Sequence, residues 1–216
     1  MKLASIKAIG FDLDYTLYPQ SKDIQEKVAD EVAKHLAGAQ NLPFDEARKK
    51  YEETYAKLKS GKGTLLALGV ENAREVMQNC LESAERVDFI EQNAELVKLI
   101  EQLKEKVGCV FLITGSRKHL AIPILEKIGL TESHFDHAIY GPDTEGDHLI
   151  KFNGTAFAEI ERLTGLKPEE LCYVGDNPKM DIHPAHARGW KTILVNDKDD
   201  KATVCIQDIL HIKELI

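Results

Sequence analysis

Cysteine is scarce in this chain and never clustered: four residues in 216, at Cys80, Cys109, Cys172 and Cys205, with no CxxC pair. They read as free thiols, with Cys109 and Cys172 inside apolar runs, and they point to a reducing cytosol. Long hydrophobic runs are missing too. No uninterrupted apolar stretch approaches the roughly 20 residues of a membrane span. Met1 to Gly10 lacks the apolar segment and cleavage site of a signal peptide, so a cytoplasmic protein is expected. Positive charge is in deficit, with 28 Lys and Arg against 36 Asp and Glu, a net charge of -8. Broad attraction to nucleic acid polymers or to an anionic membrane is therefore not expected. A small anionic substrate remains possible, because a site can be locally positive on an acidic protein. There is no internal repeat and no low-complexity tract.

What is present is ordinary for a soluble globular protein: 43% hydrophobic and 30% charged residues. The length suits one sizeable core with a small second domain. Short apolar runs predict buried strands at Ile6–Phe11, Cys109–Ile113, Ala138–Tyr140, Leu171–Val174, Thr192–Val195 and Thr203–Ile206. Helical periodicity predicts helices over Ala94–Lys106, Lys118–Ile128 and Thr155–Leu163 between them. Alternating strands and helices imply right-handed crossovers and an α/β fold, a Rossmann-like parallel sheet with helices on both faces.

Between Ser21 and Asp88 no strand pattern occurs. Ile24, Val28, Val32 and Leu36 recur at helical spacing behind a capping Ser21. Gly38 to Pro43 reads as a polar break, Asp45–Lys59 as a second helix, and Gly61-Lys62-Gly63 as another break. Thr64–Leu68 and Asn72–Glu82 follow as short helices. The expected organisation is a core of residues 1–17 and 92–216, with an α-helical cap of residues 18–91 inserted.

The chemistry sits at strand ends. Phe11-Asp12-Leu13-Asp14-Tyr15-Thr16-Leu17 carries two carboxylates, two residues apart, to the C-terminal end of strand one, the edge where open α/β sheets bind ligands. One acid can attack or ligate a metal and the other can move a proton. Tyr173-Val174-Gly175-Asp176-Asn177-Pro178-Lys179-Met180-Asp181 repeats the device. Four carboxylates in one cluster imply a divalent cation.

Taken with Thr114-Gly115-Ser116 at the end of the second strand and with Lys151 before a helix, these residues resemble the four ordered motifs of the haloacid dehalogenase superfamily. Asp12, Asp14 and Thr16 match the first motif, Thr114 the second, Lys151 the third, and Gly175-Asp176 with Asp181 the fourth. The resemblance implies that Asp12 is a nucleophile forming an aspartyl-phosphate and Asp14 a general acid and base. Mg²⁺ would be held by Asp12, Asp176, Asp181 and the backbone carbonyl of Asp14. Thr114 and the Gly115 N–H would hold phosphate oxygens near a helix start, and Lys151 would offset the negative charge. Phe152 replaces the proline that often follows the motif-three lysine. Asn177 stands where serine is common, and either residue can hydrogen-bond a carboxylate.

Within that superfamily Asp14 argues against a dehalogenase, which protonates no alkoxide. Phosphonate cleavage would need a desolvated lysine, and Lys57, Lys59 and Lys62 lie in a polar stretch. A mutase would have to exclude water. The expected activity is phosphomonoester hydrolysis, with a helical cap of the phosphoglycolate-phosphatase-like branch. Asp12 to Pro19 resembles the pyrimidine 5′-nucleotidase group, with Tyr15 in place of its usual Asn. Phosphoglycolate, a sugar phosphate or a non-catalytic binding role are the alternatives, in a monomer or homodimer acting on a small phosphorylated metabolite. Plainer readings stand beside these: turn or capping roles for Asp12 and Asp14, and a solvated surface for Lys151 and for the charged run Glu46 to Lys62. His183 and His186, three apart, could share a helix face, but further zinc ligands are lacking, so they read as surface or supporting histidines.

Overall fold

The computed structural model describes residues 3, 5–58, 60–141 and 149–216. Its sheet has six strands: β1 (Ala8–Phe11), β2 (Cys109–Ile113), β3 (His137–Ile139), β4 (Leu171–Gly175), β5 (Lys191–Val195) and β6 (Val204–Ile206). Among the described residues the α-helices are α1 (Lys22–Gln40), α2 (Phe44–Leu58), α3 (Gly61–Ala67), α4 (Ala73–Ser83), α5 (Ala94–Val107), α6 (Lys118–Ile128), α7 (Thr155–Thr164) and α8 (His183–Ala187). The strand order is β3-β2-β1-β4-β5-β6, and every pairing is parallel. This is the α/β Rossmann-like fold expected from the alternation of elements.

The strand order positions the site. From β1 the chain moves outward through β2 and β3, then returns to place β4 on the other side of β1. Such a reversal opens a crevice at the C-terminal ends of the strands, because successive connections leave in opposite directions. All four residues of β1 and all five of β4 are buried, as central parallel strands require.

One face of the sheet carries Ala8, Phe111, Ile113, Leu171 and Tyr173, packed with Phe157 and Ile160 of α7 and with Ala185 and Trp190. Phe157 meets Tyr173 and Trp190 edge-on, at centroid separations of 5.0 and 5.2 Å. Phe111 meets Trp190 the same way at 5.8 Å. These are the arrangements that ring quadrupoles favour. Burying Phe111 alone contributes roughly 1.5–3 kcal/mol. Its ring lies across the backbone of β1: a Cβ on Gly10 would fall 1.8 Å from Phe111 Cε2. Glycine is required there because the ring occupies the side chain's place.

The chain divides into two compact units, Met1–Pro19 with Glu91–Ile216, and Gln20–Ile90. The second unit is helical. Ser21 Oγ accepts from the Ile24 N–H and caps α1, whose buried stripe includes Ile24, Val28, Val32 and Leu36. The two expected breaks are shifted: the first narrows to residues 41–43, and Gly61-Lys62-Gly63 lies inside a helix. Helix α1 continues through Gly38 to Gln40, since one interior glycine costs only about 1 kcal/mol. It ends at Asn41 in the left-handed conformation that satisfies a terminal carbonyl. Gly61-Lys62-Gly63 forms the first turn of α3, capped by Ser60 Oγ, which accepts from the Gly63 N–H at 3.1 Å. Gly61 lies against the Met77 sulfur, 2.5 Å from where a Cβ would stand, so a larger residue there would push the flexible Met77 side chain aside. The charged run on α2 is a solvated face laced by Lys50–Glu46 and Arg48–Glu52 pairs.

Candidate active site

Three adjacent strands deliver the sequence-selected residues to one edge. Asp12 directly follows β1, and its N–H donates to the Val174 carbonyl of β4 at 2.9 Å. Asp176 follows β4, and Thr114 follows β2. The Thr114 N–H donates to the Ile139 carbonyl at 2.9 Å, and Thr114 Oγ1 accepts from the Ser116 N–H at 3.1 Å. The turn after β2 is thereby held from both sides, with Thr114 buried and Gly115 exposed. Tyr173 adds a brace: from β4 its hydroxyl donates to the Ile113 carbonyl at 2.6 Å, tying the end of β2 to β4 across β1.

Asp181 arrives differently. After β4 the chain enters a π-helical turn, Pro178–Ile182. Asn177 Oδ1 accepts from the N–H groups of Lys179 and Met180, while the Asn177 N–H donates to Asp181 Oδ2 at 2.9 Å. The Asn177 side chain therefore caps the turn, and the link to the carboxylate is made by its backbone. Single π turns often occur at functional sites, where the extra residue re-aims a side chain. Here the turn carries Asp181 into full burial against the bare backbone of Gly175.

Lys151 is no solvated lysine. It is buried, with Nζ 2.6 Å from Asp181 Oδ1 and 2.8 Å from Asp12 Oδ1, and 5.9 Å above the Tyr173 ring. Burial alone would push its ammonium down, yet the two carboxylates outweigh that and hold it above the ordinary lysine range. The acids remain in excess. Carboxylate oxygens of Asp12, Asp176 and Asp181 lie within 4.8 Å of one another. Among the described residues three such carboxylates face one ammonium. Burial, opposed by Lys151 and reinforced by the neighbouring acids, pushes Asp12 well above the usual carboxylate range. Burial and Asp181 push Asp176 up to about 7. Hard oxygen donors with this unmet charge are what a Mg²⁺ site requires, so the residues fit that ion. The Asp14 carboxylate is outside this group of three. Its oxygens accept from the Tyr18 hydroxyl at 2.6 Å and the Ser116 hydroxyl at 2.5 Å.

Other candidates stay apart. His183 pairs with Asp199 at 2.8 Å, His186 is exposed, and the metal-capable group among the described residues contains aspartates only. Lys57 and Lys62 are exposed, without the desolvated pocket a Schiff-base lysine needs, and Lys59 lies outside the described residues. Sequence reasoning missed Tyr18, Ser116 and Tyr173 as parts of this site. For Ser116 the signal was its place two residues after Thr114. The sequence offers Tyr18 only as part of the Asp12 to Pro19 resemblance.

The signature of the haloacid dehalogenase-like hydrolases spans residues 6–189, nearly every position from β1 through the turn before β5. The chain belongs to that family. It is similar to a glyceraldehyde 3-phosphate phosphatase of Methanopyrus kandleri, 28% identical over 88% of this chain and 84% of the relative. It is also similar to a phosphoglycolate phosphatase of Chromobacterium violaceum, 27% identical over 90% of this chain and 87% of the relative. In fold it matches a HAD phosphatase from Thermococcus onnurineus, with a TM-score of 0.66 at 20% identity over 97% of each chain. This haloacid dehalogenase-like hydrolase is thus an enzyme whose curated relatives include phosphatases. Among its described residues no helix is long and apolar enough to cross a membrane.

Proposed function

We propose that this hydrolase is a Mg²⁺-dependent phosphatase that cleaves small phosphomonoesters through an aspartyl-phosphate on Asp12. The observation that carries the reading is the buried Asp12–Lys151–Asp181 cluster, with Asp176 beside it and Asp14 two residues from Asp12. An Asp12 oxygen attacks phosphorus as the P–O ester bond breaks, and Asp14 gives its proton to the leaving oxygen. Asp14 then takes a proton from the water that attacks the phosphoenzyme, releasing inorganic phosphate and restoring Asp12. Thr114 and the Gly115 N–H hold phosphate oxygens. Lys151 keeps Asp12 aligned and offsets charge building on the phosphoryl oxygens. Asp12, Asp176 and Asp181, with the Asp14 carbonyl, would hold Mg²⁺. When bound, the ion neutralises the acids and the phosphate charge.

The helical segment between β1 and α5 is read as a cap that excludes water and selects the leaving group. The two phosphatase relatives favour a short phosphorylated carbon chain of the phosphoglycolate or triose phosphate kind. A pyrimidine nucleotide rests only on Asp12 to Pro19. In that segment Tyr18 already has work to do on Asp14. A binding module without catalysis is disfavoured because every acid of the cluster is retained.

The test is phosphate release with Mg²⁺ from phosphoglycolate, glyceraldehyde 3-phosphate, sugar phosphates, UMP, CMP, purine monophosphates and 4-nitrophenyl phosphate. Asp12→Asn serves as the control. Turnover of the short-chain esters, abolished by Asp12→Asn, is the expected result. Substantial activity in that variant would remove Asp12 as nucleophile, and no release from any ester would remove the phosphatase reading.

A further inference from the structure

Both carboxylate oxygens of Asp14 are gripped by hydroxyl groups from separate parts of the chain. Tyr18 reaches Oδ1 from four residues away, and Ser116 reaches Oδ2 from the turn after β2, 102 residues away. A half-buried aspartate on a turn has two free torsions, and one hydrogen bond would leave it a choice of rotamer. Two bonds to opposite oxygens leave one orientation.

Each hydroxyl is itself fixed. Ser116 is buried; its N–H donates to Thr114 Oγ1 and its carbonyl accepts from the Gly141 N–H at 2.8 Å. Gly141 approaches so closely that a Cβ there would lie 2.0 Å from the Gly115 carbonyl oxygen. Tyr18 is buried and meets Tyr15 edge-on at 5.8 Å. Tyr15 holds a positive φ of 60°, a conformation tyrosine rarely adopts, which turns the backbone immediately after Asp14.

We propose that Ser116 and Tyr18 are positioning residues that fix Asp14 in the orientation from which it exchanges protons with the leaving oxygen and with water. This rests on the phosphatase reading above. Ser116 belongs to the same three-residue turn as Thr114 and Gly115. The part of the chain that holds the phosphate therefore also holds the proton donor. The Ser116 hydrogen bond, with Tyr18 on the other oxygen, sets the donor's place relative to the phosphate.

A positioning role and a merely structural one separate by leaving group. In formation of the phosphoenzyme, which kcat/KM reports, a well-placed acid matters for an alkoxide, which must be protonated. It matters little for 4-nitrophenolate, which leaves without help. Breakdown of the phosphoenzyme needs Asp14 as base with either ester. kcat and KM are measured for Ser116→Ala, Tyr18→Phe and Ser116→Thr with the best alkyl ester of the panel and with 4-nitrophenyl phosphate. Ser116→Ala is expected to lower kcat/KM on the alkyl ester by about tenfold or more, within the span of general-acid effects. On the aryl ester kcat/KM should change by less than about threefold, because phosphoenzyme formation there needs no acid. Tyr18→Phe, which keeps the ring, should show the same selectivity, and Ser116→Thr should regain most of the alkyl rate. Equal losses of kcat/KM on both esters, or no loss on either, would overturn the positioning role while the wild-type turnover kept the phosphatase reading intact. A folded wild-type protein that hydrolyses neither ester would overturn the phosphatase reading itself, and the positioning role with it.

Discussion

Gly175 and Asp181 share a space that admits only one of their side chains. A Cβ on Gly175 would lie 2.4 Å from both Cβ and Cγ of Asp181. The last residue of β4 is bare because the π turn folds Asp181 back over it. Gly175→Ala should therefore displace the carboxylate rather than merely crowd it. The expected cost is about 1–3 kcal/mol, the usual range for overpacking. A higher Mg²⁺ concentration should also be needed for half-maximal turnover. A Mg²⁺ titration identical to wild type would show that Asp181 does not serve the ion.

Among the described residues Lys151 is the one ammonium paired with Asp12 and Asp181, and it is buried between them. Lys151→Met, close in length but uncharged, should reduce kcat by roughly 100- to 1000-fold, as loss of a preorganised electrostatic group does. Lys151→Arg should not restore it, because the planar guanidinium is larger and shaped for a different geometry. Steady-state kinetics of the two variants decides this. Arginine restoring full activity would mean that charge alone suffices.

Glu161 on α7 accepts from Arg188 through both oxygens, at 2.8 and 2.6 Å, and from the Trp190 indole N–H at 2.8 Å. The Arg188 bonds, opposed by burial and helped by Trp190, hold its carboxyl below the usual glutamate range. A lowered folded value means stability that is present above the unfolded pKa and lost as pH falls through the folded one. Glu161→Gln should cost about 1–2 kcal/mol near neutral pH. That difference should shrink once the pH drops below about 4, the region where a glutamate titrates. Urea unfolding at the two pH values measures it. A penalty independent of pH would assign the effect to packing.

Tyr15 occupies a left-handed position, with φ at 60°. Asparagine tolerates that region and alanine does not. Tyr15→Asn and Tyr15→Ala both remove the ring that meets Tyr18, so their difference isolates the backbone term. Tyr15→Asn should be more stable than Tyr15→Ala by about 1 kcal/mol in denaturant unfolding. Equal stabilities would show that the turn relaxes when the ring is gone.

How much of this was legible in the sequence depends on range. Asp12 and Asp176 could be placed because each directly follows a short apolar run, and a buried parallel strand leaves no other place for a following acid than its C-terminal edge. Lys151 could be suspected from order alone, while its ion pairs depend on a loop with no periodic pattern. The grip on Asp14 was invisible because Ser116 and Asp14 are far apart in sequence and meet only through the pairing of β1 with β2. Gly61 and Gly63 misled because glycine reads as punctuation. Whether it breaks a helix or admits a neighbour is decided by Met77 and Ser60, which local pattern does not reveal.

The ring of Phe111 lying over Gly10 has a consequence for how such a chain can change. A side chain at position 10 has nowhere to go while the phenyl ring is there, and a smaller residue at position 111 would leave a hole beside Trp190 beneath the strand that presents Asp12. Neither position can drift alone. A substitution at one becomes tolerable only together with its complement at the other. The two sites therefore behave in evolution, or in a combinatorial library, as a single choice between a wide ring over a bare strand and a narrow residue beside a filled one.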